Sequence, residues 1–366
     1  MQSSEMLLYL SIAGLVVILF YYFFFFLALD QPKHTSRSLD QKSISVVLCA
    51  RNELQNLKQF LPKFLLQDHE NFEVIVVNDR SSDGTQAFLQ EMSDKDERLR
   101  VIQIVKGQND HGKKGALLVG LTSAEHEYIV VSDGDCYPVS DQWLKLYDES
   151  FSENKVVLGY GPYEKVNGFL NALIRFDTMT IAAQYLSFAL KGVPYMGVGR
   201  NLGYKKDLIS EQSMGSHLHV KSGDDDLLIQ EISNHKNTVI CMDRRHWTLS
   251  VPKKTWKSYW KQKRRHLTTG RRYRSIHKLL LSALPISLVG FYFLCGILLF
   301  KYEYRSTVIM MLSVKVITQF IVYWKISRYL GEKDLVLFSP ILEFISVLYN
   351  AFAASSLLLT KKVEWK

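Results

Sequence analysis

The stretch YIVVSDGDCYP at residues 128–138 decides the fold of this chain. Its first half is a continuous apolar, β-branched run, which is typical of a strand buried on both faces of a parallel sheet. The run ends in Asp133-Gly134-Asp135, where the glycine lets the backbone turn and bring two carboxylates near one ion. A DxD triplet alone occurs by chance in many proteins. One that directly follows a buried strand predicts a cation site.

Three similar runs precede this one, at Ile44–Cys49, Phe72–Val77 and Leu99–Val105, and helical spacing separates them. Buried strands that alternate with helices indicate an α/β fold with a parallel sheet covered on both faces. Ligands of such sheets bind beyond the carboxyl ends of the strands. The residues that follow each strand are therefore the first candidates for a functional site.

Acidic residues follow three of these strands: Glu53, Asp79 with Asp83, and Asp133 with Asp135. A single acid can be a helix cap or a turn residue, and this interpretation stays open for Asp83. Three acidic strand ends in one sheet favour a site that holds a ribose, a base and a divalent metal with its diphosphate. Hard cations prefer oxygen ligands, so Mg²⁺ or Mn²⁺ is the expected cofactor.

Four apolar stretches are each about as long as the ~20 residues that cross a hydrocarbon core: Met6–Leu29, Leu279–Phe300, Ser306–Trp324 and Leu335–Leu359. They exclude a disordered chain, a small disulfide scaffold and a purely soluble enzyme.

The net charge of +9 belongs to Lys253–Lys278, which holds eleven Lys or Arg and no acid. This segment is expected to face anionic headgroups or phosphates rather than nucleic acid. The four cysteines lack CxxC spacing, which fits a reducing compartment.

Basic residues predict the orientation of the first stretch. Lys33, Arg37 and Lys42 follow it, and no Lys or Arg precedes it. The positive-inside rule therefore places the amino terminus outside and the soluble region in the cytosol. The stretch is too long for a signal peptide and is expected to remain as an anchor.

Polar residues complicate the last two stretches. Lys315 must face the protein interior or reach the membrane surface. Pro340, Glu343 and Asn350 interrupt the final stretch, and a full crossing would put the basic carboxyl terminus outside. A re-entrant or surface-lying segment would avoid that conflict, and the sequence leaves the alternatives open.

The chain resembles the inverting glycosyltransferases of family 2, and among them the membrane-embedded synthases of cellulose, hyaluronan and poly-N-acetylglucosamine. The matching motifs follow the family's order: VVLCARNE at 46–53, VIVVNDRSSDGT at 74–85, GKKGAL at 112–117, SDGDCYP at 132–138, GVGRNLGY at 197–204, SGDDDLL at 222–228 and QKRRH at 262–266. Each motif alone is weak, but their ordered occurrence is specific. The resemblance implies a GT-A fold, which is Rossmann-like with a mostly parallel sheet, a nucleotide-sugar donor and a divalent metal.

The resemblance also implies roles for the strand-end residues. Glu53 and Asp79 would contact the nucleoside, with Asp79 at the base, and Lys113 would lie near the nucleotide of the donor. A solvated loop lysine is the alternative for Lys113. Asp133 would bind the ribose or diphosphate region and share the metal with Asp135, the main ligand.

Asp225 in SGDDDLL would be the general base, with Asp224 as its neighbour. An acidic helix amino terminus is the alternative interpretation of these successive acids. Arg200 and Asn201, in the glycine-rich stretch Tyr195–Tyr204, would touch the sugar unless that stretch is only a tight turn.

QKRRH falls on the family's QxxRW motif with His in place of Trp. Gln262, Arg265 and His266 would lie beside the donor diphosphate and the acceptor, on a helix along the membrane surface. The missing indole removes a stacking surface for an acceptor sugar unless His266, Trp256 or Trp260 replaces it, which argues against processive polymerisation.

The sequence thus predicts a transmembrane anchor at 1–40, a cytosolic GT-A domain at 41–250, a basic membrane-interface helix at 251–278 and two or three transmembrane helices at 279–366. The expected activity is the metal-dependent, inverting transfer of a sugar to a lipid-linked or glycan acceptor. The expected donor is a UDP-sugar. It would occur at the cytosolic face of the cell membrane, which in a bacterium is the inner membrane, with membrane lipids as further partners. A processive, secreting polysaccharide synthase and a non-catalytic membrane scaffold are the alternatives. The oligomeric state is not predicted.

Overall fold

The structure is a computed structural model, and it describes residues 2–30, 41–105, 112–151, 154–209 and 223–359. Lys33, Arg37 and the three lysines at the carboxyl terminus lie outside the described residues, as does Ser222. The described residues form two compact units. The sheet unit comprises residues 41–166 and 188–253, and the helical unit comprises residues 2–30, 167–187 and 254–359.

The sheet unit contains a seven-stranded sheet with the order β3-β2-β1-β4-β7-β6-β8 and a two-stranded sheet of β5 and β9. The strands are β1 Ile44–Ala50, β2 Phe72–Asp79, β3 Leu99–Ile104, β4 Tyr128–Asp133, β5 Cys136–Pro138, β6 Val156–Gly159, β7 Leu202–Lys205, β8 Thr238–Cys241 and β9 Thr248–Ser250. The helices that belong wholly to this unit are α2 Leu54–Leu65, α3 Thr85–Ser93, α4 Gly112–Ser123, α5 Trp143–Phe151 and α7 Asp224–Ile232.

Strands β3, β2, β1 and β4 run parallel, as their continuous apolar sequences predicted. The register pairs Ala50 of β1 with Asn78 of β2, and Cys49 of β1 with Asp133 of β4. The carboxyl ends of these three strands therefore lie at one edge of the sheet. The predicted mostly parallel α/β fold is confirmed. The antiparallel strand β7 was not predicted, because its residues were assigned to a glycine-rich loop.

Helices cover both faces of the sheet. Successive strand residues point to opposite faces, so Val46 and Val47 of β1 pack into different layers. Val46 contributes to a core with residues of α2, α3 and α5. Val47 meets α4 on the other face, where a Cβ at Gly120 would lie 2.4 Å from its Cγ1. Glycine is required there because the helix approaches the strand so closely.

Asn201 is fully buried in the sheet unit, and all four hydrogen-bonding positions of its amide are used. Its Oδ1 accepts from Trp143 Nε1 and Tyr147 Oη, each at 2.9 Å. Its Nδ2 donates to the carbonyls of Tyr160 at 2.8 Å and His246 at 2.7 Å. The sequence interpretation placed this side chain on a sugar. In the structure it joins α5 to the chain segments that follow β6 and precede β9.

The helical unit contains long apolar helices. The apolar ones are α1 Gln2–Phe20 with its irregular helical continuation to Asp30, α9 Ser275–Leu299, α10 Arg305–Leu330 and α11 Ser339–Leu359, and the unit also contains the basic helix α8 Trp256–Thr269. The first part of α6 Phe169–Leu190 also belongs to this unit. Among the described residues, four helical segments are long and apolar enough to cross a membrane: Ser4–Leu29, Ser275–Leu299, Tyr302–Leu330 and Ser339–Leu357. The predicted amino-terminal and carboxyl-terminal apolar helices are thus present.

The polar residues of α10 and α11 meet inside the helical unit. Lys315 has no exposed surface and contacts the carboxylate of Glu343, and its Nζ donates to Gln319 Oε1 at 2.7 Å. Tyr292 Oη donates to Glu343 at 3.0 Å, and Tyr22 donates to the same carboxylate. Lys315 therefore faces the protein interior, one of the two placements that the sequence left open. Burial of both charges is possible because each has a charged partner.

Replacing Asn201 by Ala should destabilise the sheet unit strongly. The change leaves two buried donors and two buried carbonyls without their partner, and each unpaired group costs ~1–3 kcal/mol. We expect a loss of at least about 3 kcal/mol in the free energy of unfolding, measured by thermal denaturation of the purified protein. The exposed Asn167 is the control, and Asn167→Ala should change stability by less than about 0.5 kcal/mol. Equal midpoints for the two variants would contradict the structural role of Asn201.

Candidate functional site

Hydrogen bonds join the loops that follow β1 and β2 at the carboxyl edge of the sheet. The N–H of Asn52 donates to Ser81 Oγ at 2.8 Å, and the N–H of Ser82 donates to Asn52 Oδ1 at 2.8 Å. Asn52 and Arg80 have φ values of 55° and 56°, in the left-handed region that non-glycine residues seldom adopt. Such strain persists where the surrounding structure fixes it, and it is frequent at functional sites.

Asp83 takes part in the same hydrogen-bond network. Its carboxylate accepts from the N–H of Leu54 at 3.1 Å and from Thr85 Oγ1 at 2.6 Å. Burial alone would raise the pKa of Asp83, but the hydrogen bonds from Thr85 and Leu54 outweigh it and lower the pKa. This bonding agrees with the turn and capping interpretation of Asp83 that the sequence left open.

Asp79 lies at the end of β2, with 1% of its surface exposed. The guanidinium of Arg80 binds both of its carboxylate oxygens, at 2.7 and 3.3 Å. Glu53 lies before α2 at the end of the neighbouring loop, where it accepts from Asn56 Nδ2 at 2.5 Å. The two residues predicted to contact the nucleoside thus follow adjacent strands at one edge. The sequence interpretation did not include Arg80.

Asp133 and Asp135 form the centre of the site. With Cys136 they form a group whose potential ligand atoms lie within 4.8 Å of one another. Lys113, in the first turn of α4, lies 2.7 Å from Asp133. Lys253, which the sequence interpretation did not single out, lies 3.9 Å from Asp135. Each carboxylate of the DGD motif therefore has a lysine beside it, and Lys113 is not a solvated loop residue.

The chemistry of this group fits a hard divalent cation. Burial, together with the charges of Asp135 and Asp133, raises the pKa of the Cys136 thiol well above its ordinary value. The Sγ of the thiol lies 2.9 Å from Ser250 Oγ and 3.4 Å from Asp135 Oδ1. A protonated thiol is a poor metal ligand. The two carboxylates are the ligands that remain, and they suit Mg²⁺ or Mn²⁺.

Asp225 is held by the loop that precedes β7. The N–H of Gly199 donates to Asp225 Oδ2 at 2.6 Å, and a Cβ at residue 199 would lie 2.3 Å from Asp225 Oδ1, so a side chain there would displace the carboxylate. The carbonyl of the next residue, Arg200, accepts from Ser132 Oγ at 2.9 Å. Ser132 directly precedes Asp133. The hydrogen bonds therefore connect the predicted general base to the strand end that carries the DGD motif.

The environment of Asp225 is formed by the start of α7. Gly223 precedes this helix in the left-handed conformation, with a φ of 80°. Burial and the charge of Asp225 raise the pKa of Tyr204 well above its ordinary value, so this phenol stays protonated. Asp224 begins the helix, but the placement of its side chain lies outside what the structure describes.

Arg200 lies beside the ring of Tyr163, with its guanidinium carbon 4.6 Å from the ring centroid. Its Cγ would lie 2.8 Å from a Cβ placed at Gly161, so the glycine leaves room for the arginine stem. The backbone carbonyl of Arg200 also accepts from Thr248 Oγ1 at 2.7 Å. The contact of Arg200 with a sugar stays a prediction.

Gln262, Arg265 and His266 lie on α8, in the helical unit. Their spacing of three and four residues puts them on one stripe of the helix, and His266 is exposed. Trp260 packs edge-on against Tyr349, with centroids 5.5 Å apart, and against Phe352 at 5.3 Å. The ring of Trp260 thus contributes to the attachment of α8 to α11.

Comparison with known proteins identifies the domain in the sheet unit. The model of the family described as Glycosyl transferase family 2 matches residues 45–212. A probable glycosyltransferase YdaM of Bacillus subtilis is 25% identical over 244 residues, which cover 64% of this chain and 56% of that protein. An uncharacterised glycosyltransferase of Haemophilus influenzae is 28% identical over 142 residues, 39% of this chain and 41% of that protein.

These findings show that the chain contains a family 2 glycosyltransferase domain, and they confirm the predicted enzyme class for that domain. The chain spans about half the length of these two relatives. Among solved structures, a mannosyltransferase, PcManGT of Pyrobaculum calidifontis in complex with GDP-Man and Mn²⁺, has a TM-score of 0.63 with 16% sequence identity. The likeness covers 98% of this chain and 99% of that one, and at this identity it supports the GT-A fold alone.

Replacing Asp135 by Ala should remove Mn²⁺ binding without unfolding the sheet unit, since Asp135 follows a strand end and is not a core residue. Loss of a direct ligand should weaken binding by more than the ~10–100-fold that loss of an outer-shell partner costs. Isothermal titration of Mn²⁺ in the presence of UDP or GDP measures this change. Asp94→Ala, at an exposed acid after α3, is the matched control. Unchanged Mn²⁺ affinity in Asp135→Ala would exclude this residue as a ligand.

Proposed function

We propose that this protein is a metal-dependent, inverting glycosyltransferase that acts at the cytosolic face of a cell membrane. It would transfer a sugar from a nucleotide-sugar, expected to be a UDP-sugar, to a lipid-linked or glycan acceptor. Two hydrogen bonds carry this proposal. The N–H of Gly199 donates to Asp225, and the carbonyl of the next residue, Arg200, accepts from Ser132 Oγ. This arrangement links a carboxylate that can act as a base to the acidic strand end that can bind a metal.

In this proposal the strand-end residues bind the donor. Asp79 and Glu53 accept hydrogen bonds from the base and the ribose, and Asp135 with Asp133 holds the metal. A divalent cation supplies charge stabilisation to the departing diphosphate. Lys113 lies within reach of Asp133 and can exchange that contact for a phosphate oxygen. Manganese and a nucleotide-sugar are present together in PcManGT, which has the same fold.

Asp225 would deprotonate the acceptor hydroxyl, which attacks the anomeric carbon in one step. The bond from that carbon to the diphosphate breaks as the new glycosidic bond forms, so an α-linked donor gives a β-linked product. Gly199 orients the base, because its N–H donates to one of the carboxylate oxygens of Asp225. We further propose that Arg265 stabilises the leaving diphosphate, with Gln262 and His266 beside it, since a guanidinium binds phosphate in two-point fashion.

Replacing Asp225 by Asn should reduce sugar transfer by ~10²–10⁴-fold, the typical contribution of general-base catalysis. The amide is nearly isosteric but cannot take the proton of the acceptor, so the affinity for the nucleotide should change little. Turnover of radiolabelled UDP- and GDP-sugars by purified membranes, with nucleotide binding measured in parallel, separates the two effects. Chromatography of the products also shows whether one sugar or many are added.

Asp224→Asn and Asp226→Asn are the matched controls for this experiment. Near-normal transfer by Asp225→Asn, together with a large loss in one neighbour, would move the base by one residue. Normal transfer by all three variants would contradict the proposed chemistry of this site.

The proposed orientation places the sheet unit in the cytosol, where nucleotide-sugars are made. Alkaline phosphatase and β-galactosidase fusions ending near Arg98 and Lys155 test it. We expect β-galactosidase activity and no alkaline phosphatase activity at both positions, because alkaline phosphatase folds only after export. Active alkaline phosphatase at either position would reverse the orientation.

A further inference from the structure

Asp177 and Lys263 form an ion pair that is almost fully buried in the helical unit. Asp177 lies on α6 and Lys263 on α8, and each residue is 6% exposed. Lys263 Nζ lies 2.7 and 2.9 Å from the two carboxylate oxygens of Asp177. Two residues of α11 add to this contact, since Asn350 Nδ2 and Ser346 Oγ lie 3.2 and 3.4 Å from Asp177 Oδ1. The pair therefore joins three helices.

A pair of this kind is a weak source of stability. Removing two charges from water is unfavourable, and well-packed apolar residues of similar volume would often hold the helices at least as firmly. An ion pair differs from an apolar contact in its directionality. Two hydrogen bonds from the ammonium of Lys263 to both carboxylate oxygens of Asp177 restrict the rotation of α8 about its axis. Apolar burial is non-directional and does not fix it so narrowly.

The rotation of α8 about its axis sets the direction in which Gln262, Arg265 and His266 point. The buried residues of the helix are Tyr259, Lys263 and, at its end, Thr269. Gln262, Arg265 and His266 occupy the adjoining stripe. A rotation of the helix by half of one residue step, about 50°, would turn the stripe away from its present direction.

We propose that Asp177 is a positioning residue that fixes, through Lys263, the direction in which α8 presents Gln262, Arg265 and His266. This inference rests on the proposed function, because only there do these three residues act on the donor diphosphate and the acceptor. Asp177 itself touches no substrate in the proposed reaction. Its contribution is to hold one helix rotation among those that the aromatic packing would allow.

That aromatic packing should keep α8 attached when the ion pair is broken. Tyr259 stacks on Tyr349 with ring centroids 5.3 Å apart, and Trp260 contacts the same ring. The start of α8 is fixed separately by a capping box between Thr255 and Ser258. Loss of the charge on Asp177 should therefore loosen the rotation of α8 without removing the helix.

The test uses the full chain in lipid nanodiscs with Asp177 replaced by Asn. Hydrogen–deuterium exchange of residues 256–269 should become faster. In the transfer assay kcat should fall by ~10–100-fold, as displacement of a positioned group by about 1 Å can produce. The KM for the donor should change less than about threefold, since the donor is bound by the sheet unit.

Arg175→Gln is the matched control. Arg175 lies two residues away on the same helix and is equally buried, but its ion pairs are with Glu332 and Asp334, in the turn between α10 and α11. This variant should lower the melting temperature while kcat per folded molecule and the exchange of residues 256–269 stay as in the parent. The charge exchange Asp177→Lys with Lys263→Asp should recover most of the lost kcat, because it restores the pair with its direction reversed.

Unchanged exchange of residues 256–269 in Asp177→Asn would overturn the proposal, as would an equal fall of kcat in Arg175→Gln. If Asp177→Asn does not accumulate, Asn350→Ala is the second variant, because it keeps both charges. It should give smaller changes of the same sign in the exchange of residues 256–269 and in kcat. No change in either of these measurements would overturn the proposal. If the parent transfers no sugar from any nucleotide-sugar, the proposed function fails. The exchange measurement then still decides whether Asp177 fixes α8.

Discussion

The amide of Asn201 is the interaction on which the arrangement of the site depends. Its four hydrogen bonds fix the chain just before β7, between α5 and the carbonyls of Tyr160 and His246. Two residues earlier in the same segment, the N–H of Gly199 binds Asp225. The carbonyl of Arg200, between them, accepts from Ser132 beside the DGD motif. A single satisfied amide in the core therefore holds the segment that joins the two acidic parts of the site.

Much of the sheet could be predicted because its signals are local. Continuous apolar runs identified the four parallel strands, and the meeting of their carboxyl ends follows from parallel pairing alone. The acids at those ends were predicted correctly as neighbours along one edge. The long apolar helices could be identified for a similar reason, since a run of about 20 apolar residues is long enough by itself to indicate a membrane-spanning helix.

The rest depended on contacts between residues far apart in sequence. Asn201 lies in a glycine-rich motif and was interpreted as a sugar ligand, because its burial is created by α5, more than 50 residues earlier. Arg80, which binds Asp79, has a positive φ that its identity as an arginine does not predict. Asp177 and Lys263 are 86 residues apart, and nothing in either sequence segment predicts their pairing. For Asp177, its position in a largely apolar helix was the available signal for such a contact.

The charges at the sheet edge explain how one site can accept both a cation and an anion. Three carboxylates alone would repel a diphosphate. Here Asp79 has Arg80, Asp133 has Lys113, and Asp135 has Lys253 beside it. A divalent cation that binds the carboxylates of the DGD motif would weaken their attraction for Lys113 and Lys253. Those two ammonium groups then favour the phosphates, so binding of the metal and binding of the nucleotide should strengthen each other.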